Sequence, residues 1–297
     1  MKKKVLVILG PTASGKSDLA AHLAKKFKGE VISADSRQVY KSLNVGTGKI
    51  TRKEMLGIPH HLLDVADSRN QFSASDFVTK AKQTLKLIEA KQTLPIIVGG
   101  TGFYIDALTT GMVLPPVPEN KKLREKLSKK NNVALFKLLQ KKDPRRAKSI
   151  DPQNKVRLIR ALEIVEALGA VPKLKARSSK LEAYRYIYIG LKPEDLEKRI
   201  HTRLLKRMPK MILEAKKLLR EKRLAYKRMH ELGLEYRYIA MFLQDRLSKE
   251  EMTEELYKAI KKYAKRQMTW FKRNKEIKWY EPKETREIER VVKDFLR

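Results

Sequence analysis

One short segment near the start of the chain has the spacing Gly-x-x-x-x-Gly-Lys-Ser: Gly10-Pro11-Thr12-Ala13-Ser14-Gly15-Lys16-Ser17. This spacing is typical of a phosphate-binding loop (P-loop), in which backbone N–H groups turn inward around phosphate oxygens. Lys16 would supply a cation to the phosphates, and the Ser17 hydroxyl could ligate Mg²⁺. We therefore predict that these eight residues bind the phosphate groups of a substrate.

A carboxylate follows the second predicted strand, because Asp35 comes directly after Val31-Ile32-Ser33-Ala34. ATPases and GTPases usually place an acid that holds Mg²⁺ at the end of a buried strand. The natural strand for it here is Ile96-Ile97-Val98, but glycines follow that strand. Ligand sites of α/β proteins form at the carboxyl ends of parallel strands, so we expect Asp35 near the loop. On spacing alone, Asp35 could be a Mg²⁺ ligand, a general base or the cap of a turn.

The elements that must position these residues alternate between strands and helices. Short apolar runs predict strands at 5–9, 30–33 and 94–98, and amphipathic spacing predicts helices at 16–27 and 73–91. Ser73 and Asp76 have the spacing of a helix cap. Apolar strands that alternate with helices indicate a parallel sheet covered on both faces. We therefore predict an α/β fold, a P-loop-containing parallel-sheet core with helices on both faces.

The composition of the chain changes after residue 111, where a proline-rich stretch precedes mostly basic, helical segments. Helices are predicted at 119–130, 132–141, 153–168, 193–221, 234–245 and 249–272. The apolar run 184–191 predicts a late strand that rejoins the sheet. We therefore predict the first part of the core at 1–114, a mostly helical insertion domain at 115–180 and a return to the core at 181–297.

Charge is the strongest global feature of the chain. The sequence has 68 Lys and Arg against 34 Asp and Glu, a net charge of +34, of which residues 1–110 carry only +8. A thermophile's surface could also be rich in charge, but such surfaces tend to balance the two signs. A positive field of this size attracts a polyanion, so the composition favours a nucleic-acid partner for the helical insertion.

Composition also bounds the environment of the protein. The sequence has no cysteine, which excludes disulfides and thiolate metal sites and fits a reducing, cytoplasmic compartment. No apolar run approaches the ~18 residues that a membrane span needs, so no membrane partner is expected. The large like charge favours a monomer.

Seven motifs of this chain occur together and in the same order in one enzyme family. Besides the loop at 10–17, they are Ile32-Ser33-Ala34-Asp35-Ser36-Arg37-Gln38-Val39-Tyr40, Gly46-Thr47-Gly48-Lys49, Ile58-Pro59-His60-His61-Leu62, Val98-Gly99-Gly100-Thr101-Gly102, Arg160-Ala161-Leu162-Glu163 and Tyr263-Ala264-Lys265-Arg266-Gln267-Met268-Thr269-Trp270-Phe271. The set resembles the tRNA dimethylallyltransferases over residues 5 to about 280. The chain departs from many members at Leu205, where they have an acid, and at Gly233-Leu234-Glu235.

The resemblance implies a reaction and its partners. A dimethylallyl group would move from dimethylallyl diphosphate to N6 of the adenosine immediately 3′ of the anticodon, with Mg²⁺ as the cofactor. The loop at 10–17 would then hold the prenyl diphosphate rather than ATP. The partner would be the anticodon stem-loop of tRNA, whose target adenosine must be flipped out of its stack.

The resemblance also implies roles for individual residues. Asp35 matches the general base, and Thr101 would contact the reacting nucleotide or the Asp35 network. The loop and Arg203 would hold the diphosphate, with Ser17 on the metal. The residues that match tRNA contacts are Asp35, Ser36, Arg37, Gln38, Thr101, Arg124, Val156, Arg157, Leu158, Ile159 and Arg160.

Three other functions compete with this interpretation. A related enzyme could prenylate free adenine nucleotides, a P-loop kinase could phosphorylate a small molecule, and a nucleic-acid-binding protein could retain an inactive phosphate site. The basic helical segments argue against the first, and the intact Lys16 and Asp35 argue against the last. His60-His61 is interpreted as structural rather than metal-binding, because adjacent histidines point in different directions. Trp270 and Phe271 could stack on bases, but their helical spacing favours a place in the core.

Overall fold

The computed structural model describes residues 2–172 and 183–297. These residues contain six strands and twelve helices. In chain order they are β1 (Lys3–Leu9), α1 (Lys16–Lys26), β2 (Gly29–Ser33), β3 (His60–His61), α2 (Ala74–Ala90), β4 (Leu94–Gly99), α3 (Gly102–Thr109), α4 (Lys121–Ser128), α5 (Asn132–Lys142), α6 (Pro144–Ala147), α7 (Lys155–Leu168), β5 (Tyr184–Leu191), α8 (Leu196–Arg220), α9 (Tyr226–Leu232), α10 (Leu234–Leu243), α11 (Lys249–Phe271), β6 (Ile277–Tyr280) and α12 (Thr285–Leu296).

The chain divides into two compact units. The first consists of Met1–Gly111 together with Ser179–Arg297, and the second of Met112–Ser178. The sequence-based boundaries after residues 114 and 180 lie close to these division points.

The first unit is built on one parallel sheet with the strand order β3-β2-β4-β1-β5-β6. The strand β1 lies at its centre, where Lys3 to Leu9 pair with Tyr184 to Gly190 of β5 and Leu6 to Leu9 pair with Ile96 to Gly99 of β4. The prediction that 184–191 rejoins the sheet is therefore confirmed. The next strand in the chain, β2, lies on one side of β1 in the sheet, and β5 lies on the other side. A crevice of the kind in which α/β proteins bind ligands therefore forms at the carboxyl end of β1.

Helices cover both faces of this sheet. Successive side chains of a strand point to opposite faces, and in β1 both sets are apolar and buried. Leu6 and Ile8 pack in one cluster with residues of α1 and α12, while Val5, Val7 and Leu9 pack in another with residues of α2 and α3. The predicted fold class is confirmed. The predicted cap of α2 is also present, with Ser73 and Asp76 forming a reciprocal capping box.

Four helices of the first unit build a separate core that adjoins the segment after Asp35. α8, α9, α10 and α11 bury Leu204, Met229, Ile239 and Leu256, respectively, in one cluster that also contains Tyr40. Because Tyr40 belongs to the chain that follows β2, this packing attaches the helices to the carboxyl edge of the sheet.

The second unit is a small helical bundle with its own core. Leu127, Leu135, Leu139 and Leu158, from α4, α5 and α7, form that core. In the described parts of the chain, no helix is both long and apolar enough to cross a lipid bilayer.

Candidate functional site

The predicted phosphate loop connects the central strand β1 to α1 through two glycines with positive φ. Gly10 has a φ of 154°, and a Cβ there would lie 2.6 Å from the carbonyl oxygen of Leu191 in β5. Gly15 has a φ of 87° and precedes the first residue of α1. Both positions therefore require glycine, one for close approach to β5 and one for the left-handed turn into the helix.

Lys16 places its ammonium group inside this loop. Its Nζ donates to the carbonyl oxygen of Pro11 at 3.1 Å. Burial lowers the pKa of Lys16 to about 8, with the nearby charge of Asp35 opposing the shift and that of Arg203 adding to it. A bound anion would favour the charged form of this lysine, so the environment suits a phosphate group.

Asp35 and Thr101 lie side by side because β2 and β4 are neighbours in the sheet. Asp35 Oδ1 accepts the backbone N–H groups of Arg37 at 2.8 Å and Gln38 at 3.3 Å. Thr101 Oγ1 accepts the N–H of Ser36 at 3.0 Å. The side chains of Asp35 and Thr101 both bind backbone N–H groups of the turn after β2. These hydrogen bonds fix the Asp35 carboxylate at the carboxyl edge of the sheet.

One cleft brings the loop and this turn together. Its polar lining includes Lys16, Ser17, Asp35 and Gln38. Its apolar lining is formed by Ile50, Leu63 and Val98. The cleft therefore presents an ammonium group, a hydroxyl, a carboxylate and an apolar surface close together.

Arg203 reaches the same region from α8. Its Nη2 donates to the carbonyl oxygen of Gly48 at 3.3 Å, and its charge influences the pKa values of Lys16 and Asp18. This arginine is therefore within electrostatic reach of the phosphate loop, as the family resemblance implies.

Gln267 of α11 connects the phosphate loop to the second glycine-rich turn, and sequence reasoning did not identify it. Its Oε1 accepts the N–H of Thr12 at 2.9 Å, and its Nε2 donates to the carbonyl oxygen of Gly100 at 2.8 Å. The buried positions of α11 otherwise include Ile260, Ala264 and Phe271. A single amide in an apolar stripe is the signal that could have indicated this role.

Tyr263 is a second residue of α11 near the site that sequence reasoning left without a role. Burial raises the pKa of its phenol, and the charge of Asp35 adds to the rise. The phenol is therefore neutral and close enough to Asp35 to sense its charge.

The histidines and aromatics singled out in the sequence have structural partners. His61 pairs with Glu30 at 2.7 Å and His60 Nδ1 contacts the carbonyl oxygen of Ile58 at 2.8 Å, so the two rings face different partners. Among the described residues, no group of three or more His, Asp or Glu side chains is arranged to hold a metal. Phe271 is buried in the core, and Trp270 Nε1 donates to Asp106 at 2.7 Å.

In the second unit, two of the predicted tRNA contacts share one buried carboxylate. Glu163 is 2% exposed, and it accepts hydrogen bonds from Arg124 Nε and Nη2, both at 2.9 Å, and from Arg160 Nη1. Both arginines thus stabilise the fold of this unit.

The other predicted contacts on α7 differ in exposure. Val156 is 75% exposed and Arg157 is also exposed, whereas Ile159 is half-buried. Leu158 is fully buried in the core of the second unit, so its side chain is corrected from an RNA contact to a core residue. The helical periodicity of α7 explains this, since neighbouring residues point in different directions.

A parallel α/β sheet that carries a glycine-rich loop at the end of its central strand, and a carboxylate at the end of a strand two positions away, defines an enzyme that acts on a phosphorylated substrate. The chain belongs to the IPP transferase family, whose model matches residues 38–274.

Curated relatives span essentially the whole chain. It is 37% identical over 310 residues to a tRNA dimethylallyltransferase of Thermoanaerobacter sp., covering 100% of this chain and 98% of that protein. It is 40% identical over 276 residues to tRNA dimethylallyltransferase 2 of Treponema denticola, covering 92% of each.

Solved structures of similar enzymes share the fold. A full-length tRNA isopentenylpyrophosphate transferase of Bacillus halodurans superposes with a TM-score of 0.73 at 34% identity, covering 99% of this chain and 97% of that one. A eukaryotic dimethylallyltransferase acting on tRNA gives a TM-score of 0.75 at 28% identity, covering 94% of this chain and 74% of that one.

Replacing Gln267 tests its connecting role. Gln267→Ala is expected to weaken binding of inorganic diphosphate with Mg²⁺ by up to about thirtyfold, because two hydrogen bonds of about 1 kcal/mol each that hold the loop are lost. Titration calorimetry measures this affinity, and Thr269→Ala, at an exposed position of the same helix, is the matched control. Equal affinity for diphosphate in Gln267→Ala and the unmodified protein would contradict the role.

Proposed function

We propose that this protein transfers a dimethylallyl group from dimethylallyl diphosphate to N6 of the adenosine immediately 3′ of the anticodon in tRNA, releasing diphosphate. The observation that carries the proposal is the single cleft lined by Lys16, Ser17 and Asp35. The family and the named relatives support prenyl transfer to tRNA.

Asp35 is the general base of the proposed reaction. The exocyclic amine of adenine is a weak nucleophile, because its lone pair is delocalised into the ring. As the new C–N bond forms and the C–O bond to diphosphate breaks, one N6 proton must leave, and a carboxylate within hydrogen-bond reach can accept it. The hydrogen bonds from Arg37 and Gln38 go to Oδ1, so Asp35 has a second oxygen to offer the amine.

The loop at 10–17 and Arg203 stabilise the leaving group. Diphosphate gathers negative charge as the C–O bond breaks, and fixed donors around it lower the barrier. Backbone N–H groups of the loop, the Lys16 ammonium and the Arg203 guanidinium provide those donors. The Ser14 hydroxyl, in the same loop, is buried without a hydrogen-bond partner among the described residues.

The residues of the cleft fit Mg²⁺. This ion prefers oxygen ligands and usually binds through one or two protein groups together with substrate phosphates. The Ser17 hydroxyl, on the first turn of α1 and in the same cleft as Lys16, is such a group. Ser17 would hold the ion, which neutralises charge on the leaving diphosphate when bound.

The apolar lining and the charge of the chain support the choice of substrates. Ile50, Leu63 and Val98 offer an apolar surface beside the phosphate loop, which suits a five-carbon prenyl group better than a ribose. The net charge of +34 and the exposed Arg157 on α7 support a polyanionic acceptor rather than a free nucleotide.

The acceptor can be tested directly with labelled dimethylallyl diphosphate and Mg²⁺. We expect label in a tRNA transcript with adenosine 3′ of its anticodon, and none in the same transcript with guanosine there. Label in AMP would establish the free-nucleotide prenyltransferase instead. Phosphate transfer from ATP without prenyl transfer would establish a kinase and overturn the proposal.

Asp35→Asn separates catalysis from binding. The amide oxygen can still accept the N–H groups of Arg37 and Gln38, but an amide cannot take the N6 proton. Single-turnover prenyl transfer should slow by about 10²–10⁴-fold while the tRNA affinity remains within about threefold. A single-turnover rate equal to that of the unmodified enzyme would exclude Asp35 as the base.

Two arginines of α7 separate RNA binding from folding. Arg157→Ala should weaken tRNA binding and reduce the salt dependence of that binding by about one counterion, without lowering the melting temperature. Arg160→Ala should lower the melting temperature, because it removes a partner from the buried Glu163. Filter binding at several salt concentrations and thermal unfolding measure the two effects, and unchanged tRNA affinity in Arg157→Ala would contradict the RNA contact.

A further inference from the structure

The carboxylate of Glu214 in α8 binds three consecutive N–H groups of the segment 44–48, called loop 44–48 below. It accepts from Asn44 at 2.9 Å, from Val45 at 2.7 Å and from Gly46 at 2.9 Å. The Tyr236 hydroxyl of α10 donates to the same carboxylate at 2.7 Å. Hydrogen bonds to a charged group are the strong ones, so four of them hold this loop firmly to α8.

The same helix binds the carbonyl groups of loop 44–48 with two guanidinium groups. Arg203 donates to Gly48 at 3.3 Å, and Arg207 donates to the carbonyl of Val45. Glu214, Arg207 and Arg203 are spaced seven and four residues apart, which places them on one side of a helix. One helix side therefore satisfies both the donors and the acceptors of the loop.

The contact between Arg203 and Gly48 is close. A Cβ on Gly48 would lie 2.5 Å from Arg203 Nη2, and one on Gly46 would lie 2.6 Å from the ring of Tyr236. The backbone of the loop therefore forms a wall against the guanidinium of Arg203. If the loop shifts, the guanidinium loses both this wall and its carbonyl acceptor.

We propose that Glu214 is a positioning residue for Arg203, acting through loop 44–48 to hold the guanidinium where it binds diphosphate. The inference rests on the proposed function, in which Arg203 contacts the leaving group. Asp35 accepts the N–H groups of Arg37 and Gln38, and the Gln38 side chain in turn donates to the Gly48 carbonyl of loop 44–48 at 3.3 Å. Loss of Glu214 should therefore weaken binding of the prenyl diphosphate and also slow the departure of diphosphate.

Glu214→Gln is the first variant, since it removes one charge and places an amide N–H₂ against backbone donors. We expect the kcat/KM for dimethylallyl diphosphate to fall about tenfold, because Arg203 contacts the diphosphate both in the bound substrate and as it leaves. The affinity for inorganic diphosphate with Mg²⁺ should fall by a similar factor. Glu221→Gln is the matched control, because it removes the same charge from the exposed residue that follows α8, where Glu221 pairs with Lys217 and Arg223.

A double-mutant cycle with Arg203→Ala distinguishes positioning from a general structural effect. If Glu214 acts through Arg203, Glu214→Gln should cause no further loss of diphosphate affinity in the Arg203→Ala background. Additive losses in the cycle, or equal affinity in Glu214→Gln and the unmodified protein, would overturn the proposal.

Two features keep the test decisive. If Glu214→Gln does not fold, Tyr236→Phe is the second variant, because it removes one of the four hydrogen bonds to the Glu214 carboxylate. It should lower the diphosphate affinity less than Glu214→Gln does, and it should cause no further loss in the Arg203→Ala background. An additive loss in that background would also overturn the proposal. Diphosphate binding can be measured without prenyl transfer. If the cycle is non-additive but the protein does not prenylate tRNA, the proposed function is overturned while the positioning role of Glu214 stands.

Discussion

The parallel pairing of β1 with β4 on one side and β5 on the other is the constraint on which the site depends. It brings the carboxyl ends of these strands and of β2 to one edge, where four short segments meet: the loop at 10–17, the turn after β2, the glycine-rich turn after β4 and the end of β5. The first three of these segments are irregular, so their positions come from the strands before them and from helices packed over the edge. Gln267 shows how α11 supports two of them, and Glu214 shows how α8 holds loop 44–48.

Much of this arrangement was predictable from local patterns. The sheet core followed from short apolar strands alternating with amphipathic helices, and α2 could be predicted down to its cap because Ser73 and Asp76 carry a local signal. The loop at 10–17 and Asp35 were identified as chemical groups because glycine spacing and a strand-end acid have a physical meaning within a few residues. The comparisons then established the family, and with it the kind of reaction.

What could not be predicted depends on contacts between distant parts of the chain. β3 has two residues and β6 four, too few for periodicity to show, and both form because a neighbouring strand offers an edge. Nothing local to Glu163 indicates its distant partners, and the lone amide of Gln267 in an apolar stripe does not indicate which segments it contacts. The prediction of an RNA contact at Leu158 was wrong for a related reason. The family resemblance assigned consecutive residues of α7 to RNA binding, whereas one side of this helix is buried in the core.

The close fit of Gly10 against Leu191 has a consequence for how the protein folds during synthesis. The phosphate loop is bounded by β5, yet β1 meets β5 only after roughly 180 further residues have been made. At about 5–20 residues per second, a ribosome needs about 10–40 s for that stretch. Until β5 has been made, β1 can pair only with β4, so the phosphate loop gains its full surroundings late in translation.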